Sequence, residues 1–224
     1  MAEITNSTKP VTAISQVMAR LSFVAAAAFV VLLAALHVIK PELDPSWRFI
    51  SEYAIGDYGW MMVLAFFSLA LSYVTLFIAI RSQIRTISGR IGLALLLVSA
   101  AGLTMAGIFT TDPITASQDG MTAEGYLHSL GGWLGFAMPF AAALVSWSLA
   151  RDQAWSPARR SLIWAAGLAW IGFLVSLVSL GVMVSQSSGQ FGPEVLVGWP
   201  TRFEIFTYCV WLMVVAWRAA DERR

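Results

Sequence analysis

Residues 21–80 read LSFVAAAAFVVLLAALHVIK PELDPSWRFISEYAIGDYGW MMVLAFFSLALSYVTLFIAI. Two apolar runs, Leu21–Ile39 and Trp60–Ile80, carry no charge, and at about 1.5 Å per residue each is long enough to cross a hydrocarbon core of about 30 Å. The insert between them, from His37 to Trp60, packs in Lys40, Glu42, Asp44, Arg48, Glu52, Asp57 and a histidine. That alternation predicts a membrane protein with a polar cap.

The rest of the chain repeats the pattern. Hydrophobic residues make up 58% and charged ones 12%, about half the roughly 25% charged share of a soluble domain. Charge-free runs recur at Ile91–Thr111, Tyr126–Ala150, Leu162–Gln190 and Ile205–Trp217. The expected fold class is all-α: a polytopic membrane protein with six transmembrane helices in one bundle. It forms a single domain over 1–224, with spans near 21–39, 60–80, 91–111, 126–150, 162–186 and 203–218. The first run exceeds the roughly 7 to 15 apolar residues of a signal-peptide core and no small-residue cleavage site follows it, so it is expected to stay as helix one. Cys209 is the single cysteine, which excludes a disulfide framework and a cysteine-based zinc site. A net charge of +1 gives no reason to expect a nucleic-acid partner.

Charge distribution sets the topology. Lys9, Arg20, Arg81, Arg85, Arg90, Arg151, Arg159, Arg160, Arg218, Arg223 and Arg224 fall on one side of a six-span arrangement, and only Lys40, Arg48 and Arg202 on the other. The positive-inside rule then predicts two cytoplasmic termini and an integral protein of the cytoplasmic membrane. Acids gather outside, at Glu42, Asp44, Glu52, Asp57, Asp112, Asp119, Glu124, Glu194 and Glu204, with Glu3, Asp152, Asp221 and Glu222 inside. Trp47, Trp60 and Trp199 outside, with Trp155, Trp164 and Trp217 inside, are expected to form the two interfacial belts. Gly92, Gly102 and Gly107 on helix three and Gly131, Gly132 and Gly135 on helix four allow close backbone approach, which in lipid replaces the missing hydrophobic drive.

The cap carries local signals. Asp44-Pro45 is a helix start, an aspartate cap before a proline that loses no bond at the first helical position. A short interfacial helix is expected from there to Tyr53, with Arg48, Ser51 and Glu52 on one stripe and Trp47, Ile50 and Ala54 on another. Arg48 with Asp44 and Glu52 reads equally well as an exposed ion-pair ladder or as part of a site. Pro113 ends helix three at Asp112, and Thr122 caps helix four.

His37, near the end of helix one, and His128, near the start of helix four, are the only histidines and sit at matching depth. Three readings stay open. With Glu52 or Asp112 they could ligate zinc or iron in a hydrolase or lipid-modifying enzyme. They could be axial ligands of one haem. Or each could bond a nearby carbonyl. No His-Glu-x-x-His spacing occurs, and no Gly-x-Ser-x-Gly accompanies Ser51 or Ser129.

Spans one to five hold no acidic or basic residue at membrane depth, which removes an obvious proton relay or voltage sensor. Glu204, near Arg202, is the exception. It reads as half of a boundary salt bridge, while Arg202 alternatively joins the outer pocket as a cation for phosphate or carboxylate. Ser176, Ser179, Ser185, Gln186, Ser187 and Ser188 make the outer half of span five polar, either lining a pocket or bonding backbone.

Several pieces together carry a resemblance: His37 with Pro41 to Pro45, Ile50-Ser51-Glu52-Tyr53, Gly59-Trp60-Met61-Met62 with Phe66 and Phe67, Gly107-Ile108-Phe109 with Thr111-Asp112, Gly125 with His128, and Gly198 with Arg202. They run across nearly the whole chain, and the chain resembles a bacterial and archaeal family of six-helix membrane proteins known only as domain of unknown function nine-nine-eight. The resemblance implies the fold and the span count and no reaction. The expected function is therefore read from the residues. An outer pocket of His37, Asp44, Arg48, Glu52, Asp112, His128 and Arg202 binds a lipid headgroup or another small polar ligand. The alternatives are the metal enzyme, the haem protein, and an accessory subunit with a membrane-protein partner or a second copy of itself.

Overall fold

The computed structural model describes residues 13–116, 120–187 and 191–221. Glu3, Lys9, Asp119, Ser188, Glu222, Arg223 and Arg224 lie outside the described residues. Seven α-helices follow in order: α1 (Ala13–Ile39), α2 (Gly59–Ile80), α3 (Ile87–Ile108), α4 (Ala123–Gly135), α5 (Met138–Ala150), α6 (Arg159–Gln186) and α7 (Gly198–Ala220). Short 3₁₀ helices occupy Ile50–Ala54 and Gln153–Ala158. Six helical segments are long and apolar enough to cross a membrane, α4 and α5 together forming the fourth.

That fourth span is not the single helix expected over 126–150. Pro139 has no amide hydrogen, and its ring crowds the carbonyl four residues back, at Gly135. The helix responds by tightening: Phe136 and Ala137 donate to the carbonyls of Trp133 and Leu134, three residues back, before α5 resumes with the proline in its first turn.

The break decides how the bundle closes. α1 packs between α2 and α7, α2 on α3, α3 on α5, α5 on α6, and α6 on α7, which completes a ring through α5. α4 packs on α3 alone and makes no substantial contact with α6 or α7. The bundle is thus closed at the end rich in arginine and splayed at the end carrying the 37–60 insert, the cap end. Aromatic rings seal the bottom of the splay, with Phe136 against Phe173 at 5.5 Å and Phe140 against Trp170 at 4.9 Å between centroids.

Helix contacts rest on small and hydroxyl side chains. A Cβ on Gly102 would stand 2.4 Å from the Gly131 carbonyl oxygen, and one on Gly131 would stand 2.6 Å from that of Gly102, so α3 and α4 touch backbone to backbone. Ser22 and Ser72 each donate to the other's carbonyl at 2.9 Å, tying α1 to α2. Such bonds are worth about 0.6 kcal/mol each in a membrane, because the separated helices also find partners.

Two expectations about the boundaries change. Trp60, Trp164, Trp199 and Trp217 are exposed, as membrane-facing rings should be, but Trp155 is 1% exposed and Trp47 is buried. The Trp155 ring nitrogen donates to Gln83 at 2.9 Å, a bond between the second 3₁₀ helix and the α2–α3 loop. The helix expected from Asp44 to Tyr53 also divides. Asp44 accepts from the Ser46 amide at 2.9 Å, a bond that holds its carboxyl below the usual carboxylate range. One turn forms, Arg48 donating to the Asp44 carbonyl. Phe49 is then extended (φ −73°, ψ 150°) before the 3₁₀ helix. Side chains have taken the groups a continuous helix needs: Arg202 bonds the Arg48 carbonyl at 2.6 Å, and Glu52 bonds the Phe49 amide at 3.0 Å.

Candidate functional site

The polar residues of the cap separate into two groups. In the first, Arg202 of α7 donates Nε–H to His37 Nε2 at 2.8 Å, Nη1 to the carbonyls of Arg48 and Gly198, and Nη2 to the Tyr53 hydroxyl at 3.4 Å. Four of the five N–H donors of a guanidinium are thereby used. Arg202, one reading of which is a cation for a ligand anion, directs these donors to the cap and to the start of its own helix. Glu52, 2% exposed, accepts from Arg48 Nη1 at 2.7 Å and from the amides of Phe49 and Ile114 at 3.0 Å. Its carboxylate staples the 3₁₀ helix to the α3–α4 loop. Lys40 reaches the carbonyls of Tyr53 and Ile55, and Gly198, whose amide bonds Ser46, lies against the backbone of Pro45 to Trp47.

In the second group Asp112 accepts from the Thr122 amide at 2.8 Å and its hydroxyl at 3.0 Å, while Thr122 caps Gly125. A carboxylate over a helix N-terminus is favourably placed against the helix dipole. Asp112 therefore fixes the start of α4.

The two histidines are not brought together. His37 Nδ1 bonds the Leu33 carbonyl at 2.7 Å, and its ring lies against Tyr53 and Trp199. Since Arg202 Nε can only donate, His37 Nε2 accepts and Nδ1 carries the proton, so both ring nitrogens are engaged. His128 Nδ1 bonds the Phe109 carbonyl at 2.9 Å beside the Phe66 ring. Among the described residues no group of three or more His, Cys, Asp or Glu side chains is placed to hold a metal. The two rings thus bond different elements, His37 those of α1 and α7 and His128 the end of α3.

His128 belongs elsewhere. With Phe66, Tyr73, Ser99, Glu204 and Tyr208 it lines a cavity of about 210 Å³ below the cap, in the splay between α4 and α7. Phe49, Ile50 and Ser51 supply its roof, and Gly132, Gly135 and Phe136 of the broken span its side. A Cβ on Gly132 or Gly135 would meet nothing within 4 Å. A side chain at either position would project into open space, and Gly132 is exposed.

Glu204 forms no salt bridge with Arg202. Two residues apart on a helix, the side chains diverge: Arg202 turns to the cap and Glu204, 8% exposed, turns inward. Its Oε1 accepts from the Tyr208 hydroxyl at 2.7 Å. No cation among the described residues lies within ion-pair distance of it; the ion pair found there joins Arg48 and Glu52. No described serine of α6 lines the cavity, and Ser185 bonds the Val182 carbonyl of its own helix.

Sequence reasoning singled out Glu204 and His128 but missed the aromatic wall, which apolar spans full of phenylalanine do not advertise. The spacing Gly132-x-x-Gly135-x-x-x-Pro139 was the available signal for the opening.

The chain belongs to the family described as protein of unknown function (DUF998), whose family model matches residues 23–218, nearly its whole length. No curated protein and no solved structure matches it.

Proposed function

We propose that this member of a family without an assigned reaction is a membrane-embedded lipid-binding protein. The polar end of a lipid or similar amphiphile enters sideways between α4 and α7 and lodges under the roof formed by Phe49, Ile50 and Ser51. The observation that carries this reading is the pairing of a buried carboxyl, Glu204, with a cavity whose flank opens at Gly132 and Gly135. At about 210 Å³ the cavity is on the scale of a head group rather than of a whole lipid, so the tail remains in the bilayer. The polar cap, expected to be the pocket itself, acts as the frame that holds the roof in place.

Orientation follows the charges. Arg20, Arg81, Arg85, Arg90, Arg151, Arg159, Arg160 and Arg218 lie toward the closed end of the ring, which supports a cytoplasmic closed end, cytoplasmic termini and a cavity opening into the outer leaflet of the cytoplasmic membrane.

Lipid extraction and mass spectrometry of the purified protein test the reading. A stoichiometric lipid is expected, lost in the cavity-filling variant Gly132→Leu. A wild-type protein that retains no lipid, or a Gly132→Leu protein that retains as much, would overturn it.

A further inference from the structure

The cavity wall also states the charge of what it holds. We infer that the occupant is an amphiphile with a positively charged amine head, taken from the surrounding leaflet, with Glu204 as its counter-ion; this rests on the lipid-binding reading above. The lining contains one carboxyl and no lysine or arginine, and its aromatic side chains are Phe49, Phe66, Tyr73, Phe136 and Tyr208. Rings present a negative face to a cation, and an aromatic cage with a carboxylate is how proteins recognise ammonium groups. An anionic head would meet the opposite field, because neither arginine of the cap lines the cavity: Arg48 pairs with Glu52 and lies over the Trp47 ring, and Arg202 bonds His37, Tyr53 and two carbonyls.

Glu204 is prepared for this role. A carboxylate offers roughly four lone-pair sites, and here the Tyr208 hydroxyl occupies one. It holds the carboxyl in position without neutralising it. Gly172 lets α6 pack closely behind it, since a Cβ there would strike Thr207 and the Glu204 backbone. An ionised carboxylate without a counter-charge in hydrocarbon is costly. An ammonium head entering through the flank supplies the counter-charge and gains ring contacts on several sides. The remaining basic group in the lining, His128, is tied through Nδ1 to the Phe109 carbonyl.

The test uses the full chain in nanodiscs of phosphatidylglycerol alone, a lipid without an amine, titrated with decylamine, decanol and decanoic acid of equal chain length. Equilibrium dialysis is corrected with empty discs. Decylamine is expected to bind about tenfold more tightly than decanol and decanoic acid more weakly than either. In Glu204→Gln, which keeps the shape of the side chain, the ratio of amine to alcohol affinity is expected to fall to near one. Equal binding of amine and alcohol by the wild-type protein would overturn the amine assignment, as would a ratio unchanged in Glu204→Gln, and both leave lipid binding standing. If none of the three binds, and the protein extracted from its own membrane carries no lipid, the lipid-binding reading falls with it.

Discussion

Arg202 and His37, 165 positions apart in the chain, meet through a 2.8 Å bond from Nε to Nε2 that joins α7 to the end of α1. Its chemistry is one-way. The guanidinium can only donate, so the imidazole must be neutral with its proton on Nδ1, held by Leu33.

His37→Phe preserves the ring and its contacts with Tyr53 and Trp199 but leaves the arginine Nε–H without an acceptor. The expected cost is about 2 kcal/mol, read as a lower unfolding midpoint in detergent. An unchanged midpoint would show that the bond carries no stability.

Glu52 holds three donors from two segments, so its removal acts on the cap as a whole. Glu52→Ala is expected to lose about 3 kcal/mol, much of it from the uncompensated Arg48. Hydrogen exchange should rise at the amides of Phe49 and Ile114, and a rise confined to one of them would contradict the staple.

Neighbouring glycines on α4 are expected to respond in opposite ways. Gly131→Leu drives a side chain into the α3 backbone and should destabilise the protein by about 1–3 kcal/mol or more. Gly132→Leu meets open space, and it should leave the unfolding midpoint unchanged or raise it while lipid retention falls. Equal destabilisation by both would mean that the space beside Gly132 is not there.

Cys209 is fully buried and its thiol is pressed into the core. Maleimide is expected to leave it unmodified in the folded protein and to modify it after denaturation in hot detergent. In a Cys209→Ala background, Gly132→Cys should react with a lipid-soluble maleimide while the protein remains folded.

The spans were legible because charge-free runs bounded by arginines and acids leave few other foldings for a chain in lipid. The polar site was legible only as a depth. His37, Asp112, His128 and Arg202 do gather toward one end, yet a depth does not say which neighbour a side chain faces, and here helix rotation sends His37 to Arg202 and His128 to a different wall. The broken fourth span was hidden for another reason. Pro139 sits inside an apolar run, and hydropathy registers the apolar ring rather than the missing amide. Glu204 stood out because an acid at that depth is rare, but its proximity in sequence to Arg202 suggested a partner that helical geometry directs elsewhere.

The strap from Lys40 to Ile55 has two duties within a few residues of each other. Phe49, Ile50 and Ser51 cover the cavity, while Glu52, Tyr53 and Arg48 fasten the strap to the α3–α4 loop and to α7. On the proposed lipid-binding function, occupancy and cap stability are thermodynamically linked. An occupant held only by the folded cap adds to its unfolding free energy, about 2.7 kcal/mol at a free concentration a hundred times Kd. Conversely, any change that loosens the Arg202 or Glu52 fastening weakens binding by the amount needed to reorder the roof, though neither residue touches the occupant.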